Sequence, residues 1–190
     1  MFNRKSLFIL FFVLLAGCGN DDGWRTARND SSGIANPATT EEALVQVYGA
    51  PVYGWRGKFA DHTWIAVKPS GTDSFMIYQV VGWRLRRGQS VVSISEGVPD
   101  RHWYGSEPTL YLDLRGSEAT KLIQPITDAA EAYPHVDEYT LWPGPNSNSF
   151  VQWVALEVPE LGLELSWRAW GKNWMKNNYD KSRRAMATGE

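Results

Sequence analysis

His62-Thr63-Trp64-Ile65-Ala66-Val67-Lys68-Pro69-Ser70-Gly71-Thr72-Asp73-Ser74-Phe75-Met76-Ile77-Tyr78-Gln79-Val80-Val81-Gly82-Trp83 is the stretch on which the fold turns. His62 to Lys68 is rich in β-branched and aromatic residues, Pro69 to Asp73 is turn chemistry, and Ser74 to Trp83 is a second run of Phe, Ile, Tyr and Val, so the three together predict a β-hairpin. Arg84 to Gly88 supplies another polar turn, and Ser90 to Ser95, with Val91, Val92 and Ile94, extends the hairpin to a three-stranded meander. Beyond a loop at Gly97 to Pro108, Thr109 to Leu114 reads as a further strand.

Upstream, Thr39 or Thr40 can cap a short helix through Tyr48, with Glu41 and Glu42 in the first turn and Gly49 and Pro51 ending it. Downstream, Ser117 opens a helix through about Tyr133, where Ala119, Leu122, Ile123, Ile126 and Ala130 recur at helical spacing and Pro125 is expected to bend it. Tyr139 to Trp142 reads as short and extended. The fold class is α+β, a small antiparallel sheet flanked by helices, in one domain over residues 37–175.

Cys18 is the single cysteine among 190 residues, and it follows Leu14-Leu15-Ala16-Gly17 behind an apolar run that begins after Arg4 and Lys5. A charged start, a short apolar middle and small residues before a cysteine make a lipoprotein signal peptide over 1–17, and the run is too short to span a bilayer. Lipid on Cys18 then anchors the chain to a membrane of the bacterial cell envelope. Gly19 at the next position, where inner-membrane retention favours aspartate, points to the outer membrane facing the periplasm. Residues 18–36 are polar and read as a flexible tether. With the thiol capped, a cysteine nucleophile, a disulfide and a thiolate metal ligand are excluded. Removing Arg4 and Lys5 from the 19 basic side chains leaves 17 against 21 acidic ones, a formal charge of −4, which gives no basis for a nucleic-acid partner. Lys176, Lys181, Arg183 and Arg184 make residues 176–190 a basic tail, read as a solvated end or as an attraction to anionic headgroups.

Candidate chemistry gathers at Trp142-Pro143-Gly144-Pro145-Asn146-Ser147-Asn148-Ser149-Phe150. The prolines and glycine enforce a non-helical approach, after which Asn146 to Ser149 can cap a helix carrying Phe150, Val151, Val154 and Ala155. A side chain at such a start lies beside unpaired N–H groups and the positive end of the helix dipole, where an oxyanion can be held. Ten tryptophans supply either core packing or a stacking surface for sugars or peptide.

These blocks carry a resemblance. His62 to Lys68, Tyr78 to Trp83 and the Pro-Gly-Pro-Asn-Ser-Asn run look like the hallmarks of a bacterial family, domain of unknown function 3750. Further similarity runs through Pro99 to Gly105, Val158 to Leu161 and Ala169 to Lys172. More distantly, His62-x-Trp64 followed by Asn146-Ser147-x-x-Phe150 is similar to the circularly permuted NlpC/P60 papain-like proteins, in which a cysteine stands where this chain has Ser147. That resemblance implies a permuted papain-like topology and two alternatives.

In the first, the chain is an amidase or acyltransferase: Ser147 attacks, His62 takes its proton, Gln79 orients the imidazole, and N–H groups near Asn148 and Ser149 hold the oxyanion. In the second, the scaffold without its thiol is a binding module, with Asn146, Asn148, Trp64 and Trp142 contacting peptidoglycan, peptide or lipid. Arg101-His102-Trp103-Tyr104 is read as a groove lining with aromatic faces and one cation, or as a loop packed over the sheet. His62, His102 and His135 are far apart in sequence and lack metal-ligand spacing, so neither metal nor cofactor is expected. Nothing in the sequence sets the oligomeric state.

Overall fold

The computed structural model describes residues 23–35 and 40–188; the leader and Cys18 lie outside them. After a single helical turn, α1 (Gly23–Thr26), the chain forms β1 (Leu44–Pro51), β2 (Asp61–Lys68), β3 (Phe75–Val80), β4 (Val92–Gly97) and β5 (Thr109–Arg115). Three helices follow: α2 (Gly116–Glu131), α3 (Ser147–Glu157) and α4 (Lys172–Thr188). The strands make one antiparallel sheet in the order β4-β3-β2-β1-β5, so the fold is α+β, and the expected meander, β2-β3-β4, runs from its central strand to one edge.

The helix expected to run through Tyr48 is instead strand β1. It pairs on both sides, Leu44 opposite Lys68 of β2 and opposite Arg115 of β5, and the alternating Val45, Val47 and Leu44, Tyr48 are buried on opposite faces. Tertiary pairing here overrides the capping signal at Thr39 and Thr40. Gly49 is small because β5 needs the space: a Cβ there would come within 2.5 Å of the Tyr111 ring. Trp142, in the run expected to be extended, lies in a bend rather than a strand.

Alternation along β2 divides the molecule into two layers. Ile65 and Val67 face the helices, joining a core with Ile126, Phe150, Trp153 and Met175. Trp64 and Ala66 face the other way, joining Tyr48, Phe75, Ile77 and Trp103 beneath a layer of loops. That layer exists because β4 and β5 are opposite edges, so residues 98–108 must cross the sheet; Trp64 Nε1 donates to Pro99 O at 2.7 Å as they do.

Two terminal segments make contacts with the rest of the fold. Asp100, fully buried, accepts from Ser31 Oγ (2.9 Å) and from the backbone N–H groups of Ile34 (2.7 Å) and Ala35 (3.0 Å), which straps part of the expected tether onto the crossing loop. The expected basic tail continues helix α4 through Thr188, with Ser182 buried and Tyr179 packed on the core while Lys176, Lys181, Arg183 and Arg184 are exposed. Arg183 and Tyr179 both bond the Glu157 carboxylate at the end of α3. Helix α3 is accordingly enclosed: every residue from Ser147 to Val154 is buried between the sheet, α2 and α4. Pro125 lies on the exposed face of α2, which runs unbroken past it.

Candidate functional site

Strands β2 and β3 pair only where Ile65, Ala66 and Val67 meet Tyr78, Ile77 and Met76. Towards His62 that pairing ends, and a cleft of about 660 Å³ opens there. Asp61 and His62 form one side, Val80 to Trp83 another, Trp103 and Tyr104 come from the crossing loop, and Trp142, Ser147 and Trp170 close the helix side. Sequence reading of Arg101 to Tyr104 as a groove lining holds for Trp103 and Tyr104, while His102 turns away and bonds Asp30 O through Nδ1 at 2.9 Å.

His62 is 4% exposed and lies flat on Trp103, ring centroids 3.6 Å apart and planes within 9°. Its Nε2 is 3.3 Å from Gln79 Oε1, which also receives Arg101 Nη2 at 2.9 Å. A guanidinium only donates, so the Gln79 atom facing it is the oxygen; an amide oxygen only accepts, so His62 Nε2 carries the proton and Nδ1 is bare. Burial, reinforced by the Arg101 charge and opposed by the Gln79 bond, pushes the His62 pKa down to about 3. Arg101 itself sits 5.0 Å over the Trp103 ring, and burial lowers its pKa. Among the described residues no carboxylate pairs with it.

Asn146 is the N-cap of α3: its Oδ1 accepts from Asn148 N (3.0 Å) and Ser149 N (3.1 Å), and its Nδ2 donates to Leu141 O (3.0 Å). Gly171, at φ +111°, leaves room for it; a Cβ there would strike the Asn146 amide. Asn148 is equally engaged, accepting from Thr63 Oγ1 at 2.9 Å and donating to Asp61 O (3.0 Å) and Trp170 O (2.8 Å). Both asparagines border the cleft with their amides committed to the fold, and the N–H groups of Asn148 and Ser149, expected to hold an oxyanion, are already taken by Asn146. Ser147 differs. It is 4% exposed, borders the cleft, and among the described residues neither its N–H nor its Oγ has a hydrogen-bond partner.

Ser147 and His62 thus share a cavity, yet no hydrogen bond joins them among the described residues. Alternation gives the reason: Thr63 is the strand residue that reaches α3, so its neighbour His62 is turned to the aromatic layer. Trp64 is fully buried behind His62 and does not border the cleft, whereas Trp142 is 68% exposed at the cleft mouth. Asp61 is the carboxylate at the cleft, and it is spent on Arg168 (2.8 Å) and the Tyr111 hydroxyl (2.8 Å). Sequence reading missed Arg56 and Arg86, which border the same cleft from the helical turns Trp55–Lys58 and Gly82–Arg87. Nothing local marks either one, since both turns arise from chain reversal.

A histidine bonded to a serine does occur elsewhere. His135 Nε2 is 3.0 Å from Ser182 Oγ, and its Nδ1 meets Glu138 Oε1.

No curated protein and no solved structure matches the chain. The family model for proteins of unknown function, DUF3750, matches residues 42–174, which contain the whole sheet and every side chain of the cleft; the chain belongs to the DUF3750 family.

Proposed function

We propose that the protein is a lipid-anchored binding module of the bacterial cell envelope, whose cleft holds a ligand without performing chemistry on it. The scaffold is read as a permuted NlpC/P60-like one: a histidine strand followed by an Asn-Ser helix start, with the thiol replaced. Lipid on Cys18 would hold the module at the membrane surface.

One observation carries this reading: the His62 imidazole is buried flat on Trp103, with a cation one residue away through Gln79, surroundings that favour the neutral ring. A general base must accept a proton in the transition state, and triads place a carboxylate behind the imidazole to stabilise it. Here the group behind it is an arginine. At neutral pH, loading a proton on a base with pKa about 3 costs about 5 kcal/mol, at about 1.4 kcal/mol per unit. Such a penalty would offset most of what general base catalysis contributes. The aromatic walls and open mouth suit non-covalent retention instead.

The alternative, Ser147 as nucleophile of an amidase or acyltransferase, draws on the bare Nδ1 of His62 and the unpartnered Ser147 hydroxyl in the same cavity. A fluorophosphonate probe applied to the full chain separates the two. Labelling no higher than in Ser147→Ala is the expected result; labelling that disappears in both Ser147→Ala and His62→Ala would establish the serine enzyme.

A further inference from the structure

We infer that the cleft takes a small ligand with an oxyanion head, carboxylate or phosphate, on an apolar or aromatic body; this rests on the binding reading above. The chain as a whole is acidic, at −2, yet the cleft is not. Arg56 and Arg86 border it, both exposed, and among the described residues neither guanidinium has a hydrogen bond or an ion pair, that of Arg56 lying 6.0 Å over the Trp55 ring. Asp61, the carboxylate that could neutralise them, is locked to Arg168 and Tyr111. Behind the Trp103 wall lies the Arg101 guanidinium, also without a carboxylate.

The cavity therefore has an uncompensated positive field between low-polarity walls, which concentrates anions. A second feature gives the head a place to dock. Ser147 begins an eleven-residue helix, is buried to 4% exposure, and offers the cleft an N–H and a hydroxyl that nothing else uses. Donors at a helix start favour negative charge. The rest of the lining, Tyr53, Trp83, Tyr139, Trp142 and Trp170 among it, presents ring faces and edges suited to an apolar or planar body.

Calorimetry on the full chain, held in zwitterionic micelles with empty micelles as blank, tests this with 2-naphthoate and its neutral amide, 2-naphthamide. The same ring enters with and without the charge. The anion is expected to bind at least tenfold more tightly, the preference shrinking to within twofold in the double variant Arg56→Ala/Arg86→Ala and on raising the salt. 2-Naphthyl phosphate in a third arm tells a phosphate head from a carboxylate. Trp142→Ala is expected to weaken both ligands, while Trp167→Ala, equally exposed at 68% but not bordering the cleft, leaves both unchanged. Equal affinity for anion and amide, or a preference that survives the double arginine variant, overturns the oxyanion inference and leaves the binding reading standing. Absence of binding by either ring overturns both.

Discussion

Two histidines of this molecule lie near a serine, and they differ in opposite ways. At His135 the connectivity of a hydrolase is present: Glu138 on Nδ1 and Ser182 on Nε2, in one chain of contacts. Ser182, however, is buried in the middle of α4, where the helical N–H groups are bonded along the helix, and it does not border the cleft. At His62 the access is present: an open cleft, a serine at a helix start, and donors left unused. What is lacking there is the connectivity, because the imidazole is bonded to Gln79 and stacked on Trp103 instead of reaching Ser147. Hydrogen bonds without space make a latch that docks a helix. Space with unpaired donors makes a binding site, and catalysis needs both at one place.

That contrast can be broken most severely at Asn148, which ties the Ser147 helix to the His62 strand. Asn148→Ala removes three hydrogen bonds, two buried ones to Thr63 and Asp61 and a part-buried one to Trp170, and is expected to cost about 3 kcal/mol in urea unfolding, at about 1 kcal/mol per bond. A loss under 1 kcal/mol would mean that the cleft wall is held by something else.

Acid comes next. Burial depresses the folded pKa of His62 from 6.5 to about 3, so the unfolded chain takes up the proton first as pH falls. The stabilising contribution is complete above 6.5 and is lost as pH drops from there towards 3. Between pH 7 and pH 5 wild type is expected to lose about 2 kcal/mol relative to His62→Phe, a variant that keeps the stack on Trp103 and cannot titrate. Parallel pH profiles for the two proteins would sink the buried neutral imidazole.

The smallest effect belongs to the latch. Ser182→Ala removes one hydrogen bond to His135 and is expected to cost about 1 kcal/mol, with no change in ligand binding at the cleft. Weakened cleft binding in that variant would mean that the two histidine regions are coupled through α3 and α4.

How much of this was legible follows the range of the forces involved. The meander from His62 onwards could be read because β-branched runs and the Pro69 to Asp73 turn are local signals, and Asn146 as a cap is equally local. Strand β1 was misread because the residues that stabilise it, Lys68 and Arg115 among them, are distant in sequence, while Thr39, Thr40, Glu41 and Glu42 mimic a helix start. Sequence order did bring His62 and Ser147 to one cavity, with Gln79 bonded to the imidazole, but which face of β2 received α3 depends on packing, and that choice gave the helix to Thr63. Arg101 as the cation behind Gln79, and Arg56 and Arg86 at the mouth, come from three separate loops and have no spacing to announce them.

The most direct test is nitrogen-15 NMR of the His62 imidazole across pH 4 to 9. A neutral ring with the proton on Nε2 throughout that range, its shifts unmoved in Ser147→Ala, is the outcome that follows from the stack, the Gln79 bond and the neighbouring guanidinium. Protonation with a midpoint near 7 that shifts when Ser147 is removed would contradict a cleft built for binding and restore a catalytic dyad.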